Sequence, residues 1–274
     1  MIAAMMATVD PGEEVVIFEP FYENYAPDAI LSDARPRYVP LRAPDWSFDP
    51  DELRAAFNEQ TKAIIICNPN NPTGTMVTSD EVERMLARVP EHVVVVFDEA
   101  YFEYVRSAQF PDAMAYVKHG RNAIVLRTFS KIYGLAGLRI GYGVTTPEIA
   151  DLLNRVRPPF NANSLAQRAA LAALDDDEHV ARSRAVNQAG MDQVVGGLRA
   201  LGFSPVASET NFVYFDVRRD GRLVFEALLR LGVIVRHIEG QMIRVTIGQA
   251  EENTAFLAAL GQVLQAGGPK ARTS

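Results

Sequence analysis

Four short segments place costly or reactive side chains at or just beyond the C-terminal ends of runs that read as buried strands, where ligands gather in α/β sheets. The first is Asn68-Pro69-Asn70-Asn71-Pro72-Thr73-Gly74. Its two prolines and its glycine fix the backbone, so the asparagine amides are held on a rigid loop. A lone Asn-Pro pair would mark only a turn; the full string argues for a binding loop. The second, Asp98-Glu99-Ala100-Tyr101, follows the apolar run at 93–97. A carboxylate desolvated there is expensive unless a cation answers it, and its competing role is to cap the next helix.

The third segment runs from Arg127-Thr128-Phe129-Ser130-Lys131 to Arg139-Ile140-Gly141. Its hydroxyls, lysine and arginine stand among small and apolar residues, a set suited to an anionic ligand. A lysine desolvated by such neighbours has a lowered pKa and attacks carbonyls; a solvated surface lysine does neither. The fourth is Arg244, inside the strand pattern Ile243-Arg244-Val245-Thr246-Ile247. Its guanidinium needs a carboxylate-like partner, from the protein or from a substrate. Arg236, on the neighbouring predicted strand, offers a second positive charge. Taken singly, either arginine is more often a salt-bridge member than a clamp.

Short β-branched runs must position these segments: 15–18, 63–67, 93–97, 123–127 and 139–144. Runs apolar on consecutive residues suit strands covered on both faces, which predicts an α/β fold with a mostly parallel sheet between helices. The intervening amphipathic stretches 50–57 and 79–88 read as helices, the second with Ser79 as its N-cap. Beyond residue 155 the texture changes to a smaller α+β domain. A long helix is predicted over 177–201 and ends at Gly202, with strands at 211–217, 233–236 and 242–247. Helices over 222–230 and 251–265 complete it, and GGPKARTS is expected to trail as a flexible tail.

The 274 residues are 48% hydrophobic and 22% charged, with Lys+Arg 27 against Asp+Glu 34 and a formal net charge of -7. No apolar run approaches the roughly 20 residues of a membrane span, and the opening MIAAMMATVDPGEEV has no basic leader. Neither a membrane nor a secreted protein is expected. One cysteine, Cys67, and four histidines without ligand spacing leave little material for a disulfide or a zinc site. The expected setting is cytoplasmic. Net acidity with no basic stripe argues against a nucleic-acid partner.

Together, NPNNPTGT, DEAYFEY, RTFSKIYGLAGLRIGYG, RPPFNANSLAQ, TNFVYFDV and IRVTIG resemble the fold-type-I aminotransferases that use pyridoxal phosphate. They stand in family order over about residues 12–265. Within that family they are most similar to the histidinol-phosphate branch. The resemblance implies a large cofactor-binding domain over 1–160 and a small C-terminal domain over 161–274. It implies that Lys131 bonds the cofactor's aldehyde and then moves the proton between substrate Cα and cofactor C4′. Asp98 would keep the pyridine nitrogen protonated. Asn71 and Tyr101 would bond the 3-hydroxyl, and Thr128, Ser130 and Arg139 would hold the phosphate. Tyr22, if not a plain core residue, would stack on the ring. Arg244 would clamp the substrate α-carboxylate, Asn71 would also face the substrate, and Arg236 would meet a distal phosphate.

The implied reaction moves an amino group between an amino acid and a 2-oxo acid, with histidinol phosphate and 2-oxoglutarate the favoured pair, in a homodimer. The same residues would serve an aromatic aminotransferase or a threonine-phosphate decarboxylase. A reading from another class is a non-catalytic aminotransferase-like fragment or binding module. Family members carry a segment ahead of this one, with an arm, a tyrosine offered to the neighbouring subunit and a phosphate-binding turn. A chain that starts at Met1 is therefore expected to bind cofactor poorly or not at all. The stretch 10–58 looks closer to the kynurenine or methionine aminotransferases, and the loop 237–242 is short for the histidinol-phosphate branch.

Overall fold

The computed structural model describes residues 1–266, and the tail expected at 267–274 lies outside them. In chain order the elements begin with α1 (Ile2–Thr8), β1 (Glu14–Glu19), α2 (Tyr25–Leu31), β2 (Arg35–Arg42), β3 (Ser47–Phe48) and α3 (Pro50–Ala56). They continue with β4 (Thr61–Cys67), α4 (Ser79–Leu86), β5 (Val94–Asp98), α5 (Ala113–Lys118), β6 (Ala123–Thr128), β7 (Gly141–Thr145) and α6 (Pro147–Val156). Then follow α7 (Ser164–Leu174), α8 (Asp177–Ala200), β8 (Phe212–Asp216), α9 (Gly221–Arg230), β9 (Arg236–His237), β10 (Met242–Thr246) and α10 (Ala250–Gln265).

Two compact units result. One comprises Met1–Asn71 and Thr75–Asp177; the other takes in Pro72–Gly74 and begins again at Glu178. The first holds a seven-stranded sheet of order β3-β2-β1-β4-β5-β6-β7. Its interior is parallel from β2 to β6, with antiparallel pairs only at the edges, β2 with β3 and β6 with β7. The α/β architecture expected from the apolar runs is therefore present. Alternate residues of the central strands feed two cores. Ile64, Ile66, Val95 and Phe97 pack with Val82 and Met85 of α4 on one face. Ile65, Val96 and Ile124 pack with Met5, Tyr25 and Ala29 of α1 and α2 on the other. Burying each large apolar side chain contributes about 1.5–3 kcal/mol, which is why such strands need helices on both sides.

The second unit has the antiparallel sheet β8-β10-β9, covered by α8, α9 and α10 through Val194, Leu198, Leu228 and Leu260. Helix α8 ends as its sequence predicts. Gly202 has φ +88°, its N–H donates to Arg199 O at 2.9 Å, and Phe203 N–H donates to Leu198 O at 3.0 Å. That pair of bonds is the Schellman closure, which only glycine enters without strain.

Three local expectations are corrected, and one strand was missed. Helix α4 is capped by Thr78, not Ser79, because Thr78 stands three residues before Glu81 and both halves of a capping box form. The strand expected from Arg139 starts at Gly141, since Arg139 has φ 54° in the left-handed region. The strand expected at 233–236 is the two-residue β9, Arg236–His237. Strand β2 was not anticipated: Pro36 and Pro40 argue against a strand, yet RPRYVPLR lies parallel to β1, with Pro36 opposite Val15 and Pro40 opposite Glu19.

Candidate active site

The site is assembled at the C-terminal ends of β4, β5 and β6. Cys67 and Asp98 face each other across the parallel β4–β5 pair, and Leu126 of β6 stands opposite Asp98 on its other side. The loop after β4 is held by Asn68, whose side chain accepts from Val77 N–H at 3.0 Å and donates to Val77 O at 3.1 Å. Asn68 is thus a loop fastener, and Asn71 is the amide presented beyond it. Asn71 and Tyr101 are both buried, with Asn71 Nδ2 at 3.5 Å from the Tyr101 hydroxyl. Lys131 Nζ lies over the Tyr101 ring, 5.0 Å from its centroid.

Asp98 lies where the sequence requires a cation. Burial pushes its carboxyl pKa up, while a hydrogen bond from Tyr25, the Ala100 N–H and the positive charge of Lys131 pull it down. Tyr25 donates to Asp98 Oδ2 at 2.7 Å, and Ala100 N–H to Oδ1 at 3.2 Å. The competing role is not realised: the helical turn that follows, Phe102–Tyr104, has Tyr101 at its N-cap and no side-chain cap bond. Burial and the adjacent Asp98 carboxylate push the Cys67 thiol up to about 12, so it stays protonated at neutral pH.

Thr128 and Ser130 occupy the connection that leaves β6. The Thr128 hydroxyl accepts from Ser130 N–H at 3.0 Å, tightening the turn before Lys131. Arg139 is exposed, and its Nη1 donates to Ala136 O at 2.9 Å. Tyr22 is 38% exposed and packs edge-on to Tyr25 at 5.7 Å, so it is no core residue. In the second unit Arg244 is half-buried over the Phe212 ring at 4.9 Å, and stands opposite exposed Arg236 across β9–β10. Tyr25 was missed at the sequence level; its signal was an aromatic hydroxyl three residues after Tyr22. Glu99 and Arg127, an ion pair beside the site, were passed over because each sits next to a more conspicuous neighbour.

The side chains brought together here, an amine, a desolvated carboxylate and a buried amide–phenol pair, suit a planar, aldehyde-bearing cofactor. Among the described residues no cluster of His, Cys, Asp or Glu could hold a metal ion, and no helix is long and apolar enough to cross a membrane.

The parallel sheet, the ligand end of its strands and this donor set together define an aminotransferase of the fold-type-I kind. The chain belongs to the class I and II aminotransferase family, whose model matches residues 1–260. Among its relatives, histidinol-phosphate aminotransferase 1 of Nitrosococcus oceani is 49% identical over 266 residues, 96% of this chain and 71% of the relative. The histidinol-phosphate aminotransferase of Moorella thermoacetica is 47% identical, covering 93% of this chain and 67% of the relative. The structure of the Sinorhizobium meliloti histidinol-phosphate aminotransferase in complex with pyridoxal-5'-phosphate matches with TM-score 0.88 at 27% identity, covering 97% of this chain and 74% of that one. The N-succinyldiaminopimelate aminotransferase of Mycobacterium tuberculosis matches with TM-score 0.82, also at 27% identity, over 96% and 74%.

Proposed function

We propose that the chain is a pyridoxal-phosphate-dependent aminotransferase working between histidinol phosphate and 2-oxoglutarate in histidine biosynthesis. The reading is carried by the meeting of Lys131, Tyr101, Asn71 and Asp98 in one unit of a chain 49% identical to a histidinol-phosphate aminotransferase. When bound, pyridoxal phosphate supplies the electron sink that makes the substrate Cα acidic. Lys131 holds and moves the proton at that carbon. Asp98 answers the positive charge of the ring nitrogen, and Asn71 and Tyr101 donate to the 3-hydroxyl oxygen. Thr128, Ser130 and Arg139 hold the phosphate, and Tyr22 covers the ring.

Arg244 orients the substrate carboxylate with its planar fork, and Arg236 takes the distal phosphate. A cytoplasmic homodimer is part of the same reading: a lone cysteine fits a reducing compartment, and the family resemblance implies a paired assembly. The test is optical. The purified chain with added pyridoxal phosphate is expected to gain a visible absorption band that Lys131→Ala abolishes, and histidinol phosphate is expected to change that band. A wild-type chain that stays colourless would favour the non-catalytic reading.

A further inference from the structure

Helix α2 carries only seven residues, yet its first side chain reaches the centre of the site. Tyr25 is 1% exposed, and its ring lies in the apolar core with Ile17, Ile65 and Val96. Its hydroxyl emerges from that core 2.7 Å from Asp98 Oδ2. An ionised carboxylate only accepts, so the phenol is the donor. With Oδ1 taking the Ala100 N–H, each oxygen has one bond fixed by the protein and one lone-pair direction left for a ligand.

Resting on the cofactor reading above, we propose that Tyr25 is a positioning residue: it orients the Asp98 carboxylate and keeps it ionised, so that its remaining lone pairs meet the protonated ring nitrogen of pyridoxal phosphate. The physical need is clear at this strand end. Desolvation favours the neutral acid, and a neutral Asp98 would forfeit its attraction for a ring cation. A donor aimed at the charged form opposes that drift, and a phenol rooted in the core does so at a fixed angle. Burial and the same carboxylate push the Tyr25 pKa well above its ordinary value, so the phenol remains a donor throughout the neutral range.

The experiment compares the full wild-type chain with Tyr25→Phe, which keeps the ring and its packing, and with Asp98→Asn and the double variant. Cofactor affinity is read by absorbance. The Asp98 carboxyl is titrated in cofactor-free protein by 13C-aspartate NMR, its resonance assigned by its loss in Asp98→Asn. Tyr25→Phe is expected to weaken pyridoxal phosphate binding about tenfold or more, the scale of a hydrogen bond to a charged group. Its Asp98 midpoint is expected to rise by about one pH unit, and raising the pH is expected to restore affinity. In the Asp98→Asn background the tyrosine substitution is expected to add nothing. Weakened binding with an unmoved Asp98 midpoint, or additive losses in the double variant, would overturn the proposal, as would equal binding by Tyr25→Phe and wild type. Absent binding by the wild-type chain would instead remove the functional reading, and the proposal with it.

Discussion

Arg127 and Glu99 form an ion pair roofed by an aromatic ring: Arg127 Nη2 and Nε reach Glu99 Oε2 at 2.8 and 2.9 Å, while the guanidinium lies 3.5 Å from the Phe102 centroid. Glu99 follows Asp98 directly, and its N–H donates to Leu126 O at 2.9 Å, so the pair fastens the chain just where it leaves β5. Both donors converge on one oxygen, and Glu99 Oε1 has no hydrogen-bond partner among the described residues. The pair is therefore strong in charge but incompletely satisfied.

That geometry sets a pH dependence. Burial pushes Glu99 up to about 7 from an ordinary 4.5, against the pull of Arg127 and with help from Asp112 and Glu103. The folded state then binds more protons than the unfolded chain between those values, so stability is highest below the window and falls as pH rises through it. The loss amounts to at most about 3 kcal/mol. Urea unfolding at pH 5 and pH 7.5 is expected to show the lower midpoint at pH 7.5. In Glu99→Gln the difference is expected to shrink, and an unchanged difference would place the dependence elsewhere.

Arg127→Ala is expected to destabilise by about 1–3 kcal/mol, the scale of a lost hydrogen bond to a charged group, because the 1% exposed Glu99 side chain loses the cation that holds it ionised and takes up a proton instead. Adding Glu99→Gln is expected to recover part of that loss in thermal unfolding. Equal melting of the single and double variants would show that Arg127 acts through its stacking on Phe102 rather than through charge.

Gly74 closes the asparagine-proline loop with φ +79°, and a Cβ there would lie 2.5 Å from Ser208 Oγ and 2.8 Å from Ser208 Cβ. Gly74→Ala therefore meets both backbone strain and a clash, with an expected cost of about 1–3 kcal/mol. Ser208→Gly is expected to relieve the clash and leave the strain. A Gly74→Ala chain as stable as wild type in urea would contradict both.

Arg236 faces Arg244 across β9–β10, which concentrates positive charge on one small sheet. Arg236→Ala is expected to raise the KM for histidinol phosphate about 10- to 100-fold, the scale of one charge-assisted contact, and to leave an unphosphorylated aromatic donor nearly unchanged. Equal losses on both donors would withdraw the phosphate role and with it the favoured substrate.

How much was legible depended on whether a feature is local. The runs at 63–67 and 93–97 announced β4 and β5 within a residue or two, because continuous burial on both faces leaves an unbroken apolar string. Gly202 announced the end of α8 because few other residues enter that conformation. Strand β2 was hidden, since its prolines and its single buried residue resemble a loop until β1 supplies a partner. Arg139 misled for the opposite reason: it continues an apolar-looking run but turns into the left-handed region.

By itself the sequence determined the alternation of strands and helices, the rigid asparagine loop, the lysine-bearing turn and the membership of an aminotransferase family, all of which are written in contiguous residues. Only the tertiary structure decided that Tyr25 donates to Asp98 across 73 positions of chain, and that Cys67 stands opposite that carboxylate. Residue types and their periodicity encode which faces are buried and where the chain turns. Which buried hydroxyl meets which buried charge is set by strand register and helix placement, and those exist only once distant segments have packed together.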